Sequence, residues 1–429
     1  MSLRDTATEV VRGFCERTTE MQRSITISAT VAVLALALTG CSAGNNNGPS
    51  GKGEDVKSLT LWDGYTQYNT GGSPFEGLIS TCETKTGITI ERTVNQDNGA
   101  KLAQGASSGD LPDLTILDNP NVAQFAETGI LVDNETSGLD TSKMMPNLVA
   151  SGVIDGKTYG APFGANTLAL FYNKDMLQAA GIQPPTTWDG LVAAAQKLTD
   201  ASRSRYGIAF SARPDAEGTF QFLPFFWGAG AELTDLDSPE AVKALTLWTD
   251  LVADGYASGE NITLNQQDVR DGFVAGNSAM MVNGTWQLNG LDKSGINYGV
   301  VPVPAKGGGA APSPLGGEFI NLLQSKNPSR IAASAKFAQC FVDPANLTGW
   351  LEGQTYISPY ADQAAKQAAN DPRLAPWVDA VSAARSRTED LGSHYAVVAQ
   401  NLGKAIEAAV AGQTPPAAAL AAAASASSK

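Results

Sequence analysis

Histidine occurs once, at His394, and cysteine four times, at Cys15, Cys41, Cys82 and Cys340. Zinc sites, imidazole acid–base catalysis and Ser-His-Asp triads draw on those residue types, so the chain lacks their usual parts. Carboxylates are abundant, with 43 Asp and Glu, which leaves carboxylate-only chemistry such as glycoside hydrolysis open. No motif presents the facing pair of acids that such a reaction needs. Neither a metal-ligand set nor a cofactor motif is read from the residues. Side chains that could contact a ligand stand instead at the ends of apolar runs. Asp63 and Tyr65 follow Ser58-Leu-Thr-Leu-Trp62, and Asp118 and Asn119 follow Leu111-Pro-Asp-Leu-Thr-Ile-Leu117. In an α/β sheet, ligands sit at the carboxyl ends of the strands. Asp-Gly and Asn-Pro are also turn formers in any fold, so a purely local role stays open for each.

Those positions need elements to hold them. Ser58–Trp62, Ile88–Val94 and Leu111–Leu117 read as strands, separated by helical stretches at Phe75–Lys85, ending at Gly87, and Gly99–Ser108. Such alternation indicates an α/β domain with a mostly parallel sheet. Asp155–Phe163 reads as a hairpin leading into a strand at Thr167–Tyr172. Helices follow at Asn173–Gly181, Leu191–Leu198, Pro239–Ala253 and Asp268–Ala275, with strands at Tyr206–Phe210 and Ala279–Val282. The Ala-rich end from Thr414 is expected to fray past Leu420, leaving 421–429 as an Ala/Ser-rich tail. A chain of 429 residues suggests two or three domains. No long linker appears after residue 53, which argues for interleaved domains with several chain crossings.

The net charge is −14, and the first 40 residues are charge-balanced, so the remainder carries all of it. An acidic surface repels phosphate backbones, which disfavours nucleic-acid binding. Ile25–Leu38 is a small-residue-rich apolar run of the length of a signal-peptide core. It ends in Leu38-Thr-Gly-Cys41, which resembles a bacterial lipobox with Cys41 as the lipidated mature N-terminus. A polar Gly/Asn/Ser stretch follows. Residues 1–40 are therefore expected to be a lipoprotein signal peptide and 41–53 a flexible tether. Met21 is an alternative start for that leader. The expected location is exported and lipid-anchored to the outer face of the cytoplasmic membrane. In an oxidising compartment, Cys82 and Cys340 are either one disulfide stapling distant segments or two buried thiols.

Asp155-Gly-Lys-x-Tyr-Gly-x-Pro-Phe163, Tyr172-Asn-Lys-Asp, Gly181-Ile-x-Pro-Pro-Thr-Thr-Trp-Asp189 and Phe273-x-x-Gly-x-x-Ala-Met-x-x-x-Gly-x-Trp286 together resemble the family 1 extracellular solute-binding proteins, from about Leu59 to Leu420. That group includes maltose, oligosaccharide and glycerophosphodiester receptors. The resemblance implies a periplasmic-binding-protein (Venus-flytrap) fold, two α/β lobes joined by a multi-strand hinge. The lobes are expected at 54–162 with 315–365, and at 163–314 with the C-terminal helices of 366–420. It implies a monomeric, non-enzymatic receptor of an ABC importer that binds a carbohydrate-like ligand. Its partners would be permease subunits driven by a cytoplasmic ATPase.

Sugars carry apolar C–H faces and a rim of hydroxyls, so aromatic rings and hydrogen-bonding acids suit them. On the resemblance, Trp286 lines the cleft, Gly317 belongs to a glycine pair that lets backbone approach a ligand, and Glu318 accepts from ligand hydroxyls. Tyr356 falls in a loop that faces the cleft in relatives. Trp227 lies in an aromatic stretch, Thr219–Trp227, either beside the cleft or in a core. Trp62, Trp188 and Trp350 are expected to pack cores, and Trp377 is either surface or core. A glycerophosphodiester ligand would need a cation, for which Arg213 and Arg373 are the candidates. A secreted carbohydrate-acting enzyme is the alternative from another class.

Overall fold

The computed structural model describes residues 55–428 except position 70. The leader at 1–40, the whole of the 41–53 tether and the acylation of Cys41 lie outside the described residues. The chain first builds β1 (Ser58–Asp63), α1 (Pro74–Thr86), β2 (Thr89–Val94), α2 (Asn98–Ser108), β3 (Leu114–Asp118) and α3 (Asn119–Glu127), and then a short β4 (Ala161–Pro162). Each helix start has a local cause. Ser73, Asp97 and Asp118 accept backbone N–H groups at the amino ends of α1, α2 and α3, a cap interaction of about 1 kcal/mol. The carboxyl ends of α1 and α2 stop on Gly87 and Gly109 in the left-handed region, where glycine carries no steric penalty.

The chain then crosses into a second lobe. It comprises β5 (Leu168–Asn173), α4 (Lys174–Ala180), α5 (Trp188–Leu198), β6 (Tyr206–Ala209), α6 (Ala216–Gly228), α7 (Pro239–Ala253), α8 (Gln266–Val274), β7 (Ser278–Gly284), α9 (Leu288–Ser294) and β8 (Tyr298–Val301). It returns as β9 (Glu318–Leu322), α10 (Pro328–Phe341) and α11 (Pro344–Gln354), then crosses again to α12 (Ala361–Asn370), α13 (Ala375–Ser382), α14 (Tyr395–Val410) and α15 (Pro416–Ser427).

The first sheet has the order β2-β1-β3-β9-β4 and the second β8-β5-β7-β6. β1 is parallel to β2 and β3, whereas β9 runs antiparallel to β3. In the second sheet only β6 and β7 are parallel; β5 opposes both β7 and β8. Strand alternation divides the apolar residues of the first sheet between two faces. Leu59, Leu61, Ile320 and Leu322 join one core with α1 and α10; Trp62 and Phe319 join the other with Leu102 and Phe125. Cys82 of α1 and Cys340 of α10 are joined as a disulfide across 258 residues.

The crossings form the hinge. Ala165 and Ile357 exchange backbone hydrogen bonds of 2.9 and 2.8 Å, and Asn166 and Gly316 exchange bonds of 3.1 and 2.9 Å. Arg385 adds a further rung through Leu315 and Ser313. Two expected boundaries move. Residue 365 falls inside α12, and Ala364 belongs to the buried cluster of Phe171, Met281 and Trp377 in the second lobe, so α12 starts that lobe's final segment. The end of the chain does not fray past Leu420: α15 continues to Ser427 with Ala419, Leu420, Ala423 and Ser427 buried. Small residues four apart share one helix face, and that face packs on the second lobe's core, with Asn401 Nδ2 donating to Ser427 Oγ at 3.1 Å.

Candidate ligand-binding cleft

The antiparallel register of β3 and β9 sets Asp118 opposite Glu318 at the sheet edge. Like charges in that position repel, and the two acids find different solutions. Asp118 takes a cation: Arg387 Nη2 donates to its Oδ1 at 2.6 Å. Arg387 is 4 % exposed, also donates to Leu315 O at 3.0 Å, and lies 4.9 Å from the centre of the Phe220 ring. Glu318 takes no cation. Its Oε1 receives the Tyr356 hydroxyl at 3.4 Å, and its Oε2 is buried with no hydrogen-bond partner. Burial, reinforced by the Asp118 charge, pushes the Glu318 carboxyl up to about 8; the Tyr65 and Tyr356 hydroxyls and the Arg387 charge act in the other direction. Tyr65 lies near enough to act on Glu318 although its hydroxyl makes no hydrogen bond of normal geometry.

These groups open onto a cleft of about 850 Å³ walled by both lobes and floored by the hinge. The second lobe contributes Phe220 and Glu217 from α6, Gln266 at the start of α8, and Trp286 after β7. Glu217 accepts Ser211 Oγ at 3.0 Å and the Gln266 N–H at 2.8 Å, and burial raises its pKa. Trp286 is partly exposed and tilts against Phe220 with ring centroids 6.4 Å apart. It folds over Gly284, where a Cβ would lie 2.1 Å from the indole, so only glycine leaves it room. Gly317 has φ +119, and a Cβ there would meet Gly164 O at 2.3 Å. Behind the cleft, Tyr65 packs on Phe75 and Trp350.

Trp286, Tyr65, Asp118, Gly317, Glu318 and Tyr356 thus line one cleft. Trp227, Asp63 and Asn119 do not. Trp227 lies two turns beyond Phe220 along α6, roughly 10 Å by helical rise, is 4 % exposed in the second lobe's core and is covered by Arg385. Asp63 is wholly buried, with both oxygens taken by Arg92 at 2.7 and 2.8 Å. Asn119 is buried and braces the hinge, its Nδ2 donating to Leu315 O and its Oδ1 accepting from Arg387. Trp62, Trp188, Trp350 and Trp377 are core residues. Arg213 lines the cleft and pairs with Asp215 at 2.8 Å, whereas Arg373 pairs with Asp371 and Asp292 away from it. Sequence reasoning missed Arg387, Glu217 and Phe220. The aromatic stretch pointed to α6 but to the wrong turn of it, and nothing around Arg385-Ser-Arg387 marked a buried cation.

A family model described as bacterial extracellular solute-binding protein matches residues 77–376. The chain belongs to this family. Among solved structures in keeping with this solute-binding family, a Thermotoga lettingae ABC-transporter solute-binding protein with bound α-D-tagatose superposes with TM-score 0.75 at 26% identity, covering 86% of this chain and 98% of that one. The GacH receptor of Streptomyces glaucescens, solved unliganded and with acarbose, gives TM-score 0.74 at 25% identity over 87% of this chain and 97% of that one. A putative binding protein of Brucella abortus is 29% identical over 221 residues, 49% of this chain and 54% of the relative. The chain thus spans about half the length of the curated relatives it matches first. The fold is the two-lobe architecture of these solute-binding proteins.

Proposed function

We propose that this chain is the exported receptor of an ABC-type importer, anchored through Cys41, which binds a sugar or oligosaccharide between its lobes and delivers it to permease subunits. The observation that carries this reading is the pairing of a partly exposed Trp286 on one lobe with a rim of carboxyl, amide and hydroxyl groups on the other. The indole offers an apolar plate to a sugar face, and the rim satisfies hydroxyls. Family membership and the sugar and acarbose complexes of similar structures support it.

The glycerophosphodiester reading fits less well. A phosphate needs an unspent cation, and both arginines of the cleft wall are already ion-paired, Arg387 to Asp118 and Arg213 to Asp215. A carbohydrate-acting enzyme would release products from oligosaccharides, which thin-layer chromatography detects.

The test is a thermal-shift screen of the protein lacking its leader and tether against mono-, di- and trisaccharides, polyols and glycerophosphodiesters. A ligand at 100 times its Kd adds about 2.7 kcal/mol of stability. A saccharide hit is expected, with Trp286→Ala weakening it by about 2 kcal/mol, roughly thirtyfold in Kd. A response to glycerophosphodiesters alone would overturn the sugar.

A further inference from the structure

An acid on a cleft rim is ordinarily an acceptor, and Glu318 was assigned that role from the sequence. Its surroundings have the opposite polarity. A carboxylate is satisfied by several donors, and Glu318 has one, the Tyr356 hydroxyl at a long 3.4 Å, with Oε2 closed to water and unpartnered. The groups facing it from each packed element are Asp118 at the end of β3, Tyr65 and Tyr68 from the loop after β1, Tyr356 from the hinge, and Arg387 from the segment before α14. Arg387 is spent on Asp118, so the strand register brings Glu318 a negative neighbour together with that neighbour's cation. An ionised Glu318 would be a charge held by one long hydrogen bond and no cation, a costly state that a bound proton removes.

We propose that Glu318 is carried as the neutral carboxylic acid and donates a hydrogen bond to an acceptor oxygen of a neutral, polyhydroxylated ligand. This rests on the receptor reading above. The burial and the Asp118 charge that raise its pKa to about 8 agree with the geometry. The tyrosines around it do not confuse a titration below pH 10, because burial raises Tyr65 and Tyr356 well above their usual 10 and Tyr68 to about 12.

Two measurements separate this proposal from the receptor reading. The first uses ligand-free protein labelled with ¹³C at glutamate side-chain carboxyls, assigned by Glu318→Gln. The Glu318 signal is expected to titrate near 8; titration in the ordinary carboxylate range overturns the proposal whatever the protein binds. The second is calorimetry from pH 6 to 9.5 with a neutral saccharide found by the thermal-shift screen. Wild-type affinity is expected to fall about tenfold per pH unit above 8. Glu318→Gln keeps an N–H donor at every pH and is expected to bind about thirtyfold more tightly than wild type at pH 9.5. Equal or weaker binding by Glu318→Gln at pH 9.5 would show an acceptor and overturn the donor role. If Glu318 titrates near 8 but no saccharide binds, the receptor reading and the donor role fall together, and the held proton stands.

Discussion

Arg387 shows how one side chain can hold a site together without offering its charge to a ligand. It reaches Asp118 on the first lobe, Leu315 in the hinge and the rings of Phe220 and Tyr395 on the second. Neutralising Asp118 leaves Glu318 as the acid without a cation, and the consequence extends to the free protein. Glu318 keeps its proton up to about 8 when folded, against an ordinary 4.5. Between those values the folded state binds more protons than the unfolded state, so stability falls as pH rises across the window. Its contribution is complete below about 4.5 and lost on passing 8. Glu217, raised by burial, acts in the same sense. Urea midpoints measured at pH 5 and pH 8.5 are expected to drop for wild type and to drop less for Glu318→Gln; an equal drop would assign the slope elsewhere. The site was only partly legible at this scale. Trp286, Glu318 and Gly317 were readable because their neighbouring motifs carry a family pattern. Asp63 and Asn119 misled because a strand end offers a ligand-facing side and a backbone-bracing side, and which is used depends on a partner distant in sequence, Arg92 or Arg387.

At the scale of elements, local chemistry was a good guide. Cap residues and left-handed glycines mark the ends of α1, α2 and α4, and the strand at Ala279–Val282 was correctly read as buried. The exception is instructive. An alanine-rich end has no large side chains to signal a core, so α15 reads as a frayed tail, yet close approach to α14 needs just such small residues. Leu420 is fully buried in that contact. Leu420→Ala is expected to cost about 2–5 kcal/mol in chemical denaturation. A loss within about 0.5 kcal/mol, as for an exposed surface position, would return the segment to a tail.

At the scale of the molecule, closing of the lobes about the hinge is the motion this architecture permits, and ligand contacts to both lobes would bias it. Gly317 sits beside the Asn166–Gly316 crossing, where such a motion would be absorbed. A side chain there meets Gly164 O and requires a φ that only glycine adopts readily. Gly317→Ala is expected to weaken saccharide binding at least tenfold and to blunt the decrease in radius of gyration that small-angle scattering would record on adding ligand. Unchanged compaction would move the pivot to another crossing. The existence of two lobes was legible from the missing linker and the ordered motifs. The hinge pairing was not, because Ala165–Ile357 and Asn166–Gly316 join residues that no local pattern relates.

The insertion of β9 between β3 and β4 has a consequence for biogenesis. As the polypeptide emerges amino end first, β3 is made early, but its antiparallel neighbour follows only after every strand of the second sheet. Cys82 likewise waits 258 residues for its partner. Until then the nascent chain exposes the side of β3 that β9 will cover, an unpaired edge of the kind that recruits other strands. The middle of the chain can complete its own sheet during that interval, so the first lobe's sheet is the last to finish although it is the first begun. A holding chaperone would therefore be of most use over residues 58–162, and a fragment ending before β9 would be prone to aggregate rather than fold as half a receptor.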